Sequence, residues 1–339
     1  MNKLKINTIL IDVLGLVITM MKVSVWSGDL SDSYLKLVTQ LGADYIDFNK
    51  GTDFTTDKKK GHPDLDKVLK IKKRIRSFGL EVNRVTLPDI TEKFMKNQKG
   101  GDDELDNTCR ALKVFGEAEV PLARQRFAGE TVEWAVTHYR SVHRGGYFSR
   151  VERFDSSRLQ QEAFTKEETE DWWQHFRLVY EHLVPIAEEH NIKLAIHPSD
   201  PPLTDAPLDT SGFNRVVKEF PSRIVGYIYC CGTRGEAGGL PLVLNEIRNY
   251  GCEGRIFQVH FRNVKGNLDL SDGFEETLLD DGDMSMFKIL QALKEANFDG
   301  CLNPDHIPTV EGDRKQVHHG LAYSVGYIKA QIAALEAMK

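Results

Sequence analysis

With 339 residues, 44 Lys+Arg against 50 Asp+Glu, a net charge of −6 and 41% hydrophobic residues, the chain reads as an ordinary soluble globule. No basic block marks a nucleic-acid footprint and no low-complexity tract marks a long disordered arm, so nucleic acid is not an expected partner. Five thinly spread cysteines, Cys109, Cys230, Cys231, Cys252 and Cys301, lack the paired framework of a secreted protein and point to a reducing cytoplasm.

In the first twenty residues, Lys3 and Lys5 precede an apolar stretch from Ile9 to Met20 that superficially resembles a signal peptide. Asp12 interrupts it, no small-residue cleavage site follows, and it falls short of the roughly 20 apolar residues that cross a bilayer. Residues 1–21 are therefore read as an N-terminal extension, with Met21 close to the natural beginning of the fold and no membrane partner expected.

From Lys22 onward, short β-prone runs alternate with longer amphipathic segments, the βαβα pattern of a parallel sheet covered by helices. Eight strands are expected: Lys22–Trp26, Tyr45–Phe48, Glu81–Val85, Leu122–Phe127, Lys193–His197, Ile224–Cys230, Ile256–Phe261 and Gly300–Asn303. Eight such units predict a (β/α)₈ barrel over 22–339, since this fold commonly runs to about 250 residues and more with insertions. The apolar spacing of Leu65, Val68, Leu69, Ile71 and Ile75 predicts a helix over Asp64–Phe78, with Gly79 as its stop. Met286, Ile289, Leu290 and Leu293 predict another over Asp283–Ala296. Between the fourth and fifth strands lies a long interval, 128–164, in which Trp134, His138, Tyr139, Arg140 and Arg144 are placed to cover a ligand or reach a neighbouring subunit.

Each of the last four expected strands ends at or beside a residue type that binds metals: His197, then Cys230 with Cys231, then His260, then Asp305, spaced roughly 30 to 45 residues apart, the length of one strand-plus-helix unit. A barrel gathers such ends around one mouth at its carboxyl face, so the four are expected to share one ion. Neighbouring residues on a strand point opposite ways, so only one of Cys230 and Cys231 faces the mouth. Pro198, Pro201 and Pro202 stop the strand after His197. Gly232 in the following Gly-Thr-Arg-Gly turn lets a ligand come close. Arg262, Asn263 and Lys265 after His260 offer donors to a carboxylate or sugar hydroxyl. His306 sets a titratable imidazole beside Asp305.

These segments resemble the mannonate dehydratase family, metal-dependent members of the xylose-isomerase-like barrels. Ala195–Pro202 is similar to that family's Ile-His-Pro-Asp-Asp-Pro-Pro segment, Cys230–Thr233 to its Cys-x-Gly-Ser/Thr turn, Val259–Lys265 to its Val-His-Phe-Arg-Asn-Val-Lys run, and Pro304–His306 to its Pro-Asp-His motif. Met21–Gly28 resembles the opening strand, which makes Trp26 a candidate substrate contact. The resemblance implies His197, Cys230, His260 and Asp305 as ligands of a divalent metal, Mn²⁺ by family habit, with Fe²⁺ or Zn²⁺ also suited to the donor set. It implies loss of water from D-mannonate in glucuronate catabolism: the proton at carbon 2 leaves, the hydroxyl at carbon 3 departs, and 2-keto-3-deoxy-D-gluconate results. His306 is the candidate acid or base. A homo-oligomer, in the simplest case a dimer, is implied as well.

The chain departs from the family where Pro-Asp-His would continue Gly-Arg, since Ile307-Pro308 stands there, leaving Arg262 or Arg314 as substitutes. His319 falls at the family's catalytic tyrosine position, with Tyr323 nearby, and Ser199 replaces the first aspartate after His-Pro. Two other readings remain: an epimerase or isomerase of a related sugar acid or keto-sugar on the same metal barrel, and a sugar-acid-binding protein without catalysis.

Overall fold

The computed structural model describes residues 21–56, 60–131, 136–154, 165–203, 206–268, 273–313 and 318–338. The N-terminal extension, Met21 excepted, therefore lies outside the described residues, as do Trp134 and Arg314.

In chain order the strands are β1 (Lys22–Trp26), β2 (Tyr45–Asp47), β3 (Glu81–Thr86), β4 (Leu122–Arg124), β5 (Val136–Val142), β6 (Phe148–Phe154), β7 (Lys193–Ile196), β8 (Val225–Cys230), β9 (Ile256–His260), β10 (Asn263–Lys265), β11 (Gly273–Thr277) and β12 (Cys301–Asn303). Eight of them close a parallel barrel in the order β1-β12-β9-β8-β7-β4-β3-β2, and these are the eight expected strands. Several ladders stop short of their expected ends. Only β4 loses more than a residue or two, because Gln125–Phe127 leave the barrel at the mouth, where Phe127 keeps a single parallel bridge to Ile90.

The barrel interior is filled in layers. Leu122, Ala195 and Ile228 pack with Phe257, and each of the first three stands two residues before a mouth residue on its own strand, namely Arg124, His197 and Cys230. Beside this apolar layer, Asp47 is wholly buried and accepts hydrogen bonds from Ser24 Oγ (2.6 Å), Asn83 Nδ2 (2.8 Å), Gln258 Nε2 (2.5 Å) and Asn303 Nδ2 (2.5 Å). Side chains from five strands thereby converge on one carboxylate, and this knot ties both halves of the ring together.

Outside the barrel, the expected helices form at Leu65–Ser77 and Met286–Glu295, each somewhat shorter than its pattern. The helix Lys166–Glu189 begins with a capping box between Thr165 and Glu168 and buries Trp172, Phe176, Val179, Tyr180 and Leu183 at helical spacing against the barrel. No helix among the described residues is long and apolar enough to cross a membrane.

The interval after β4 differs from the expected loop. It forms an antiparallel hairpin, β5 with β6, and β6 continues into β11 and β10 to make a four-stranded sheet. A further antiparallel bridge joins Phe148 to Thr309, with paired backbone hydrogen bonds of 3.0 and 2.8 Å. Two connections far apart in the chain are thus welded into one cover beside the segment that follows β12.

Candidate metal centre

Three of the four expected ligands come together. One ring nitrogen each of His197 and His260 and the Cys230 Sγ all lie within 4.8 Å of one another, and all three side chains are buried. That spacing is close to the span of two metal–ligand bonds, about 4.3 Å. Asp305 stands at the edge of this trio, with Oδ2 3.2 Å from His260 Nδ1, and is not part of the mutually close group. Of the two thiols, Cys230 faces the mouth, whereas Cys231 turns away and donates to the His260 carbonyl at 3.0 Å.

The donors fit a divalent cation. His260 Nε2 is buried without any partner, a rare condition for a polar group, and Nδ1 faces only the Asp305 carboxylate. His197 Nδ1 lies 2.8 Å from the Pro198 carbonyl, which makes it the protonated nitrogen and leaves the Nε2 lone pair free to ligate. Cys230 Sγ receives only donors: Thr233 N at 3.4 Å, Thr233 Oγ1 at 3.2 Å and Arg262 Nε at 3.2 Å, the surroundings of a thiolate.

Electrostatics agree. Burial, with Arg124 nearby, holds His197 well below the usual imidazole range, and burial likewise lowers His260 against the pull of Asp305. Both are neutral, as ligands must be. Burial pushes the Cys230 thiol up to about 11 despite Arg262, so its proton leaves only as an ion binds. Burial alone would raise Asp305, but His306, His260 and Arg262 outweigh it and keep the carboxylate well below its ordinary range.

Arg262 lies buried at the junction of barrel and cover, and its donors are spent on protein. Besides Cys230, it reaches Glu236 (2.8 Å), Glu276 (2.6 Å), Thr233 Oγ1 (2.7 Å) and Asp200 (3.4 Å). The expected role of substrate donor is therefore corrected: Arg262 organises the thiolate side of the site. The same holds for Gly232, where the close neighbour is this side chain, because a Cβ would fall 2.4 Å from Arg262 Cγ. Gly232→Ala is expected to displace Arg262 and weaken metal affinity about tenfold, measured by competition with a chromogenic chelator.

The other expected contacts divide. Trp26 reaches the site, with its ring edge-on to His260 at 5.8 Å. Asn263 does not, since its amide nitrogen serves the carbonyls of Leu279 (2.9 Å) and Met284 (3.0 Å) and pins the segment after β11. Lys265, half exposed on β10, pairs with Asp281 at 3.3 Å. His306 is well placed: Nδ1 is 2.7 Å from Glu276 Oε1 and Nε2 is 3.5 Å from Asp305 Oδ2. Partial burial opposes its charge, but Asp305 and Glu276 prevail and raise it to about 9. With its side chain 37% exposed, it borders a cavity of about 550 Å³ shared with Arg140, Ser149, Arg150, Glu276 and Thr309.

His319 and Tyr323 are not among the residues gathered at the ligands. His319 is 63% exposed beside Asp313, and Tyr323 engages Asp280 and Arg144 at the cover. Ser199 receives the Leu208 amide and braces its own loop. Sequence reasoning missed Glu276, Glu236, Arg150 and the buried Arg84 and Arg124.

Fold and donors together define a (β/α)₈ barrel whose mouth gathers residues that could hold a divalent metal. A family model described as D-mannonate dehydratase (UxuA) matches residues 145–339, more than half of the chain, and the chain belongs to that family. It is similar to Mannonate dehydratase 2 of Halalkalibacterium halodurans, 32% identical over 167 residues, an alignment covering 47% of this chain and 48% of that protein. Mannonate dehydratase of Oceanobacillus iheyensis is 25% identical over 308 residues, covering 80% of this chain and 86% of the relative. Among solved structures, mannonate dehydratase from Streptococcus suis superposes with a TM-score of 0.77 at 22% identity, covering 94% of this chain and 96% of that one.

Proposed function

We propose that the protein is a metal-dependent hydro-lyase that converts D-mannonate to 2-keto-3-deoxy-D-gluconate, a reaction suited to glucuronate catabolism. The observation that carries this reading is the meeting of His197, Cys230 and His260 at one point, with His306 beside them at the edge of a cavity. Asp305 is the fourth donor, 3.2 Å from His260. Mn²⁺ is the ion by kinship, although the thiolate also suits Fe²⁺ or Zn²⁺. The bound ion supplies Lewis acidity that stabilises negative charge building next to the substrate carboxylate.

The protein groups supply the rest. Glu276 holds His306 through Nδ1, which leaves Nε2 to exchange a proton with the substrate. Trp26 walls the site beside His260 and excludes water from that side. Five free thiols support a cytoplasmic setting, and kinship supports a homo-oligomer.

Mn²⁺-loaded protein incubated with D-mannonate tests the reading by formation of the keto-deoxy acid; no product where a control dehydratase turns over refutes it. His306→Asn is expected to lower kcat about 10²-fold with metal content intact, and full activity in that variant removes the assigned proton carrier. One observation favours a second reading. His319 and Tyr323 stand against Asp313 and against Asp280 with Arg144, so the family's second proton donor is not brought to the ligands. Epimerisation or isomerisation of a related sugar acid needs no expulsion of hydroxyl, and solvent deuterium entering carbon 2 without water loss would identify it.

A further inference from the structure

The four strands β7, β8, β9 and β12 bring up the ligand residues, while the facing side of the barrel brings up two arginines. Arg84 on β3 is 0% exposed, and its guanidinium lies 4.7 Å from the centre of the Trp26 ring, the same ring that meets His260. Its Nη2 donates to Asn49 Oδ1 at 3.2 Å, whereas Nε and Nη1 have no acceptor. Among the described residues no carboxylate forms an ion pair with it. Arg124, on the adjacent strand β4, gives Nη2 to Glu130 at 3.0 Å and leaves Nε buried without a partner.

Neighbouring strands rarely hold two like charges in a dry interior, and a buried guanidinium without a counter-ion is costly. Only one carboxylate, Glu130, is committed to this pair. Asp47, nearby, is taken up by four neutral donors. Burial pushes Arg84 down to about 10 against the opposing pull of Asp47, with Arg124 adding to the fall, and it still carries its charge at neutral pH. The Trp26 ring that carries Arg84 on its face also meets His260, so this guanidinium stands one ring away from the strand-end ligands. The groups left wanting are N–H donors on cations, and what satisfies them is an anion with oxygen acceptors.

We infer that Arg84 and Arg124 form a carboxylate subsite that receives the acid group of an aldonate and holds it beside the strand-end ligands. This rests on the sugar-acid reading given above and adds the residues that select an acid over a neutral sugar. The same positive charge is in place when negative charge spreads onto that carboxylate as the carbon 2 proton leaves.

Calorimetric titration of the Mn²⁺-loaded protein with D-mannonate and with its neutral analogue D-mannonamide tests the subsite. Wild type is expected to prefer the acid; equal affinity for both overturns the proposal at once. R84Q is expected to weaken mannonate binding about tenfold or more and R84K by less, with mannonamide changed by no more than about twofold. Unchanged mannonate affinity in R84Q, or equal weakening of both ligands, overturns it. If R84Q does not fold, R124Q, whose side chain is 14% exposed, is measured to the same two outcomes. Mannonate turnover by wild type with unaltered binding in the variants removes the subsite alone. Acid-selective binding that R84Q abolishes, without water loss in wild type, removes the proposed reaction alone.

Discussion

Replacing His260 by alanine is expected to strip the divalent ion from the protein and to lower kcat on the order of 10³- to 10⁴-fold, the rate equivalent of several kcal/mol of lost Lewis-acid stabilisation. His260 is the middle member of the ligand group, close to His197, Cys230 and Asp305. Without it, His197 and Cys230 keep only Asp305, which reaches the group through His260 itself, and the ion loses its central donor. The fold should persist, because the only polar contact of the His260 ring among the described residues is with Asp305 at the rim of the site, 3.2 Å from Nδ1. Metal content by plasma emission, read beside a thermal melt in chelator, separates the two effects. A His260→Ala protein that retains stoichiometric metal would show that the donor set is wrong.

The second large effect is one of stability. Arg262→Met should cost about 3–5 kcal/mol, the usual result of removing one partner from a buried ionic network. Glu236, Glu276 and Asp200 would then face each other without the cation that holds them together. Glu236 is wholly buried, and burial already raises its carboxyl to about 8 with Arg262 present. A carboxyl that keeps its proton longer in the folded state than in the unfolded one loses stability as pH rises from the unfolded value through the folded one. Losing the cation lifts the Glu236 carboxyl further above about 8, so the deficit of the variant should widen as pH rises through and beyond that value, which urea titrations on either side of it can measure. A deficit under about 1 kcal/mol throughout would mean that Arg262 is not the keystone of the cluster.

The barrel was legible because its strands are short β-prone runs at regular intervals and its ligands sit where those runs end. His197, Cys230 and His260 each follow directly from that grammar. The added sheet was not legible. β6 reads Phe-Ser-Arg-Val-Glu-Arg-Phe, a charged run that looks solvated, and its partner β11 comes more than a hundred residues later. Missing that pairing also misplaced Asn263 and Lys265. Polar residues after a strand end resemble ligand donors, but here they begin a new strand whose side chains serve the sheet itself. Arg84 and Arg124 were hidden for a different reason, since a single cation within a strand gives no indication of depth or of whether its charge is balanced. His319 shows the limit of position alone: alignment put it at a catalytic place, and the fold leaves it mostly in solvent.

The welding of residues 136–154 to 263–265 and 273–277 beside the barrel mouth has a consequence for how this enzyme can diversify. The candidate ligands of the ion ride on the ring, while Arg150 and Glu276, which border and brace His306, ride on the four-stranded ribbon. Mutation in the ribbon can retune which hydrogen migrates, or which sugar is accepted, without touching the electrophile. Cation binding and substrate choice can thereby drift separately, with Arg262, Asp200 and His306 as points where ring and ribbon meet.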